Sequence, residues 1–120
     1  MELHTMGIDL GKTVFHLVGL NLQGEIVVRK KFSPTQLLRF TANLHVELMG
    51  MEACGGAHFL GRALREQAHE VRLIPAQYVK PFVKTNKSDC LDAEAIAEAV
   101  ARPTMRFVPI KTDDQLNCAS

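Results

Sequence analysis

The sequence lacks the features that identify several common classes of protein. No apolar run approaches the ~18 residues of a membrane span, and the first residues show no secretory signal pattern. The three cysteines, Cys54, Cys90 and Cys118, are too few and too far apart for a disulfide framework or a zinc site. A net charge of +1 gives the whole chain no preference for nucleic acid, so any basic surface must be local. We therefore expect a cytoplasmic protein with reduced thiols and no membrane contact.

A nucleotide-binding P-loop is also missing, although the stretch MGIDLGKT at residues 6–13 is close to one. Only three residues separate Gly7 from Gly11, one fewer than the pattern G-x-x-x-x-G-K-[ST] requires. The next segment, VFHLVGL, is rich in β-branched and aromatic residues, which favours a strand over the helix that a P-loop lysine would open. The stretch therefore places Asp9 on or just past a buried strand.

The pattern of apolar residues predicts one α/β domain at residues 1–110. With 120 residues, 47% of them hydrophobic, the chain can bury one core. A hairpin followed by alternating strands and helices implies a mixed five-stranded sheet with helices on its faces. Strands are predicted at 3–10, 13–21, 25–32, 45–52 and 70–75, with a last short strand at 106–110. Helices are predicted from residue 33 and at 57–68, 76–84 and 89–102.

Three local signals support these boundaries. Gln23-Gly24 marks a tight turn between the second and third strands. Ser33-Pro34-Thr35-Gln36 combines a capping box with proline at the first helical position. In the second helix, the predicted apolar stripe consists of Phe59, Leu60 and Leu64.

Four carboxylates are candidates for a shared site. Asp9 and Glu52 each lie at the end of a predicted central strand. At about 100° per residue, Asp89 and Asp92 fall on the same side of their helix as Ile96, which should pack on the sheet. Carboxylates on the core side of a helix are costly unless a charged group meets them. Their sequence positions therefore suggest that the four acids converge.

Three of the four acids also have a simpler explanation, and only Asp92, deeper in the apolar stripe, does not. Asp9 could be a turn residue, Glu52 a surface acid at a strand end, and Asp89 a favourable charge at a helix N-terminus. If the four do converge, they would repel one another, because two carboxylates ~5 Å apart repel by roughly 3 kcal/mol at an effective dielectric of ~20. Oxygen ligands alone select Mg²⁺ or Mn²⁺, and such ions suit phosphodiester chemistry.

A basic strip precedes the acidic helix. Lys80, Lys84 and Lys87 surround Tyr78, with Arg72 adjoining. These side chains could simply form a solvated face. The functional interpretation is a surface that contacts nucleic-acid phosphates beside the metal site.

Three motifs in this order make the sequence resemble a known family. The segments GIDLGK, GMEACGG and VRLIPAQYVKPFVKTNKSDCLDAEAIA are similar to the N-terminal domain of the DEDD transposases of bacterial insertion sequences, a family that includes Piv-type DNA invertases. The similarity runs from about Met6 to Pro109, and its most specific part is K-[ST]-D-x-x-D-A, present here at residues 87–93.

The resemblance implies an RNase H-like fold of the Holliday-junction-resolvase type. It also implies that Asp9, Glu52, Asp89 and Asp92 form the catalytic tetrad, that the tetrad binds Mg²⁺ or Mn²⁺, and that DNA (element ends and target) is the substrate. A further partner implied by the family is a guide RNA encoded by the element. Self-association into a homo-oligomer is a separate expectation for this chain. Family members continue into a second domain that carries a serine implicated as the nucleophile.

Two other classes remain open. The chain could be half of an actin-like or sugar-kinase-like ATPase, since those proteins also begin with a G-I-D-L-G strand. It could also be a non-enzymatic remnant that folds and binds nucleic acid. A capping box at residues 112–115 starts a helix with only five residues after it, so we expect residues 111–120 to be the truncated start of a linker helix. On that reasoning the chain alone should not complete strand exchange.

Overall fold

The computed structural model describes residues 3–11, 13–82, 89–102 and 105–110, with only the backbone described at 89–92. The predicted segment 111–120 lies outside these residues. The strands are β1 (Leu3–Leu10), β2 (Phe15–Leu20), β3 (Ile26–Phe32), β4 (Val46–Glu52) and β5 (Val71–Ile74). The helices are α1 (Pro34–Ala42), α2 (Gly55–Glu66), α3 (Ala76–Val79) with a 3-10 turn at Lys80–Phe82, and α4 (Asp89–Val100). No helix in these ranges is long and apolar enough to cross a membrane.

The five strands form one mixed sheet in the order β3-β2-β1-β4-β5, which confirms the predicted fold class. The β1–β2 and β2–β3 pairs are antiparallel, whereas β1–β4 and β4–β5 are parallel. The hairpin β2–β3 therefore extends the sheet to one side, and the chain returns through α1 to place β4 on the other side of β1. This return makes β1 and β4 parallel neighbours at the centre of the sheet.

The predicted turn and capping box are both present. In the β2–β3 turn, Asn21 Oδ1 accepts hydrogen bonds from the amides of Gln23 (3.0 Å) and Glu25 (2.9 Å), and Gly24 has φ +82°. At the start of α1, Ser33 Oγ accepts from the Gln36 amide at 3.3 Å, and Gln36 Oε1 accepts from the Ser33 amide at 3.0 Å. Short-range hydrogen bonds fix these two boundaries, which is why local sequence was sufficient to predict them.

The predicted apolar stripe of α2 is wrong at Phe59. That side chain is 66% exposed, and the Arg62 guanidinium lies 5.9 Å from its ring centroid. The buried side of the helix instead carries Ala57, Leu60, Gly61 and Leu64. These residues follow the i, i+3, i+4, i+7 pattern of one helix face, and Phe59 lies roughly opposite that face.

The last predicted strand, at 106–110, is reduced to one antiparallel bridge between Leu73 and Val108. The Val108 amide donates to the Leu73 carbonyl at 2.8 Å. Proline at position 109 has no amide hydrogen to extend such a ladder, so the pairing stops after one residue.

The two faces of the sheet are covered differently. On one face, α1 and α2 bury an apolar cluster that includes Met6, Ile8 and Leu17 of the strands. On the other face, α4 packs so closely that two positions of the central strands have no room for a side chain. A Cβ at Gly7 would meet the backbone of Ala93 and Ala97, and a Cβ at Gly50 would lie 2.7 Å from the Cβ of Val100.

We predict that Gly50→Ala destabilises the fold by about 1–3 kcal/mol, because the added methyl group overpacks the contact with Val100. Gly55→Ala is the matched control, since a Cβ there meets nothing within 4 Å and alanine favours the first turn of α2. Urea unfolding measures both. Equal stability of Gly50→Ala and the unmodified chain would contradict the close packing of α4.

Candidate active site

Asp9 and Glu52 are neighbours at the carboxyl ends of two parallel strands. The register pairs Ile8 with Met51, and each acid is the next residue along its strand. Because side chains alternate across a sheet, Asp9 lies on the face of Gly7, and Glu52 lies on the face of Gly50. Both glycines contact α4, so both acids are on the side of the sheet that α4 covers. Both side chains are partly buried.

The direction of α4 brings its first turn toward these acids. Its middle crosses β1 at Gly7, below Ala93 and Ala97. Its last turn lies near the start of β1, since Glu98 lines the same cavity as His4 and Thr5. The helix therefore runs opposite to β1, and its N-terminal end points to the end of the sheet where Asp9 lies.

The other two predicted ligands belong to that first turn. Asp89 begins α4, four residues before Ala93, and Asp92 precedes Ile96 by the same interval; Ala93 and Ile96 are both fully buried. The side chains of Asp89 and Asp92 lie outside the described part of the structure. Among the side chains that are described, no group of three or more His, Cys, Asp or Glu residues could hold a metal ion. That set contains only Asp9 and Glu52 of the predicted tetrad.

Sequence reasoning missed His16, which is the partner of Asp9 in the β1–β2 ladder. Residues paired across antiparallel strands point to the same face, so the partly buried imidazole lies beside the Asp9 carboxylate on the face covered by α4. The sequence contained no metal-ligand spacing around His16. Only the register of β1 with β2 reveals this neighbour.

The residues predicted to bind nucleic acid differ in how far their side chains are engaged within the fold. Arg72, on β5, lies 3.6 Å from a Glu70 carboxylate oxygen and 4.8 Å from the centroid of the Phe107 ring. Lys80 is exposed in the 3-10 turn after α3. Lys84 and Lys87 lie outside the described residues. Arg72 is therefore partly engaged within the fold, and Lys80 is open to a partner.

A search of solved structures shows the same fold in a known enzyme. The chain matches Thermus thermophilus RuvC in complex with a Holliday junction substrate, with a TM-score of 0.64 and 16% identity. The match covers 87% of this chain and 98% of that chain. At this identity the match establishes the RNase H-like fold, and it confirms the predicted resolvase type of sheet.

Curated relatives are closer in sequence. The chain is 48% identical over 110 residues to the transposase of insertion sequence element IS1328 from Yersinia enterocolitica, covering 92% of this chain and 33% of that protein. It is 47% identical to a probable family 20 transposase from Pseudomonas aeruginosa, with 96% and 34% covered. It is 40% identical to the IS1111A transposase from Coxiella burnetii, with 95% and 31% covered. The chain thus spans about a third of the length of these relatives.

The family model DEDD_Tnp_IS110, described as "Transposase", matches residues 6–118. This range includes both strand-end acids and the first turn of α4. The resemblance noted in the sequence motifs is thereby confirmed, and the chain belongs to the DEDD transposase family of IS110 type.

Proposed function

We propose that this chain is the metal-dependent catalytic domain of a DNA transposase, the part that cuts and transfers phosphodiester strands. The observation that carries the proposal is the placement of Asp9 and Glu52 side by side at the ends of β1 and β4, below the N-terminal end of α4. Membership of the transposase family supports this chemistry over the ATPase alternative.

The residues at this end of the sheet fit a hard divalent cation. Asp9 and Glu52 come from strands whose backbones are about 4.8 Å apart, a spacing at which two carboxylates repel by roughly 3 kcal/mol at a dielectric of ~20. A cation would offset that repulsion, and oxygen ligands favour Mg²⁺ or Mn²⁺. On this proposal Asp9, Glu52, Asp89 and Asp92 would hold the ion, which supplies charge stabilisation at the phosphate and activation of the attacking oxygen.

The chain's own contribution is preorganisation. Asp9 and Glu52 are fixed by the ladder of the central strands, and Asp89 and Asp92 belong to a helix held against that sheet by backbone-to-backbone contact at Gly7. Groups on such rigid elements keep their positions when a phosphate binds, which lowers the cost of reaching the transition state. His16, beside Asp9 on β2, would help to fix the orientation of that carboxylate.

DNA is the proposed substrate, with Lys80, Lys84, Lys87 and Arg72 contacting its backbone. The solved structure with the same fold contains a Holliday junction substrate, which supports a nucleic-acid ligand for this fold. A guide RNA and self-association remain predictions. The chain spans about a third of its relatives, so complete transposition is proposed only for a full-length protein.

The proposed metal site predicts that Mg²⁺ or Mn²⁺ raises the Tm of the chain. At a metal concentration about ten times Kd, the stabilisation is about 1.4 kcal/mol, or a rise of roughly 5 °C. Asp9→Asn and Glu52→Gln should each abolish most of this rise. Without metal both variants should be at least as stable as the unmodified chain, because they relieve repulsion.

Glu47→Gln is the matched control, since Glu47 is exposed near the opposite end of β4. It should keep the full metal-induced rise in Tm, measured by differential scanning calorimetry. If the Asp9 and Glu52 variants also kept it, these acids would not be metal ligands.

The basic strip predicts salt-sensitive DNA binding. Neutralising Lys80, Lys84 and Lys87 together to glutamine should reduce the slope of log K against log salt by about 2–3, since each phosphate contact contributes about 0.9. A triple Lys30→Gln, Arg39→Gln and Arg65→Gln variant controls for net charge, because it removes three exposed cations from the face that α1 and α2 cover. Equal slopes for the two variants in fluorescence anisotropy would show that the strip is only a solvated face.

A further inference from the structure

Strand β3 carries three consecutive basic residues, Arg29, Lys30 and Lys31, and all three are exposed. The strand lies at one edge of the sheet, next to β2. None of these cations forms an ion pair with a carboxylate within the part of the chain that the structure describes. Edge strand β3 therefore presents three exposed cations that have no ion-pair partner among the described residues.

The register separates these cations onto two faces. Lys31 pairs with His16, and Arg29 pairs with Val18. His16 pairs in turn with Asp9, so Arg29 and Lys31 point to the face of the sheet that carries the acids. Lys30 pairs with the buried Leu17, and it points to the face that α1 and α2 cover.

Lys31 is therefore one end of a row that crosses four strands. The row runs from Lys31 on β3 through His16 and Asp9 to Glu52, which follows the Ile8–Met51 pair. Above this face α4 packs on β1, β2, β4 and β5. Arg29 and Lys31 are both exposed. The two cations are thus open to solvent beside the candidate active site.

The spacing of these groups matches a nucleic-acid backbone. Strands are about 4.8 Å apart, so the backbone of Lys31 is about 10 Å from that of Asp9, and Arg29 lies about 7 Å further along β3. One strand of a duplex advances about 3.4 Å per nucleotide. A phosphate held by Lys31 would therefore lie within a few nucleotides of a phosphate held at the acids, and Arg29, displaced along β3 at right angles to the row, would contact a different part of the backbone.

We propose that Arg29 and Lys31 form a DNA-backbone contact, called here the β3 ledge, which positions the strand that enters the active site. The occupant is DNA because exposed cations beside a carboxylate site are complementary to a polyanion whose cleaved phosphate must approach those acids. The ledge rests on the proposed function. It adds a contact surface on the opposite edge of the sheet from β5, which carries Arg72.

Protection of an edge strand against aggregation is the competing explanation. Lysines on an edge discourage pairing with another chain, and that role does not depend on the face to which they point. A DNA contact does depend on the face. Lys30, one residue from each ledge residue and on the opposite face, is therefore the matched control.

The test compares an Arg29→Gln and Lys31→Gln double variant with Lys30→Gln. Binding of a short duplex of unrelated sequence is measured by fluorescence anisotropy across a salt series. The double variant should lower the slope of log K against log salt by about 2, and Lys30→Gln should leave it unchanged. The proposal would be wrong if the double variant left the slope unchanged, or if Lys30→Gln lowered the slope as much as the double variant does.

A second measurement uses the unmodified chain, so it does not depend on how the variants fold. Lysine acetylation with a small acylating reagent is followed by mass spectrometry with and without the duplex. DNA should protect Lys31 several-fold and leave Lys30 reactive; equal reactivity of Lys31 in both conditions would contradict the proposal. If the unmodified chain bound no DNA at all, the proposed function itself would be wrong. If it bound DNA without protecting Lys31, only the proposed contact at the β3 ledge would be wrong.

Discussion

The contact of α4 with two glycines is the constraint on which the candidate active site depends. Gly7 and Gly50 lie side by side in the central strands, and the helix passes directly over them. Any side chain at Gly7 would collide with helix backbone, so the separation of helix and sheet is set by main-chain atoms. The first turn of α4 is thereby held close to the strand ends, where Asp9 and Glu52 project two residues beyond these glycines.

Topology supplies the second requirement. Acids at residues 9 and 52 are distant in sequence, and they become neighbours only because the chain returns through α1 to lay β4 parallel to β1. Parallel strands end at the same edge of the sheet, and ligands of open α/β sheets bind at carboxyl ends of this kind. The hairpin β2–β3 adds His16 and the β3 ledge to the same face without altering this central pair.

The parts of the structure that local sequence determines were predictable, and those that depend on strand register were not. The capping box at Ser33 and the turn at Gly24 are closed by hydrogen bonds within a few residues, so their patterns were sufficient. Phe59 was misplaced because an aromatic residue near an apolar stripe was assumed to join it, although the helical period places it opposite Leu64. His16 and Lys31 carry no motif at all, and their position in one row with Asp9 follows only from which residue pairs with which across three strands.

If the site holds the proposed metal ion, the charges around it imply a division of roles between the metal and the side chains. A phosphate about 5 Å from a carboxylate is repelled by roughly 3 kcal/mol at a dielectric of ~20, whereas a lysine about 10 Å away attracts it by only about half as much. Salt weakens the longer interaction further, since the screening length is about 8–10 Å. At that distance the ledge residues offset the acids only in part at the phosphate that is cut, whereas the proposed cation between the acids would lie close enough to offset them. The basic side chains can act on the neighbouring phosphates, where the acids are distant. On this reasoning metal binding should precede productive placement of the scissile phosphate, even if the flanking backbone is already held.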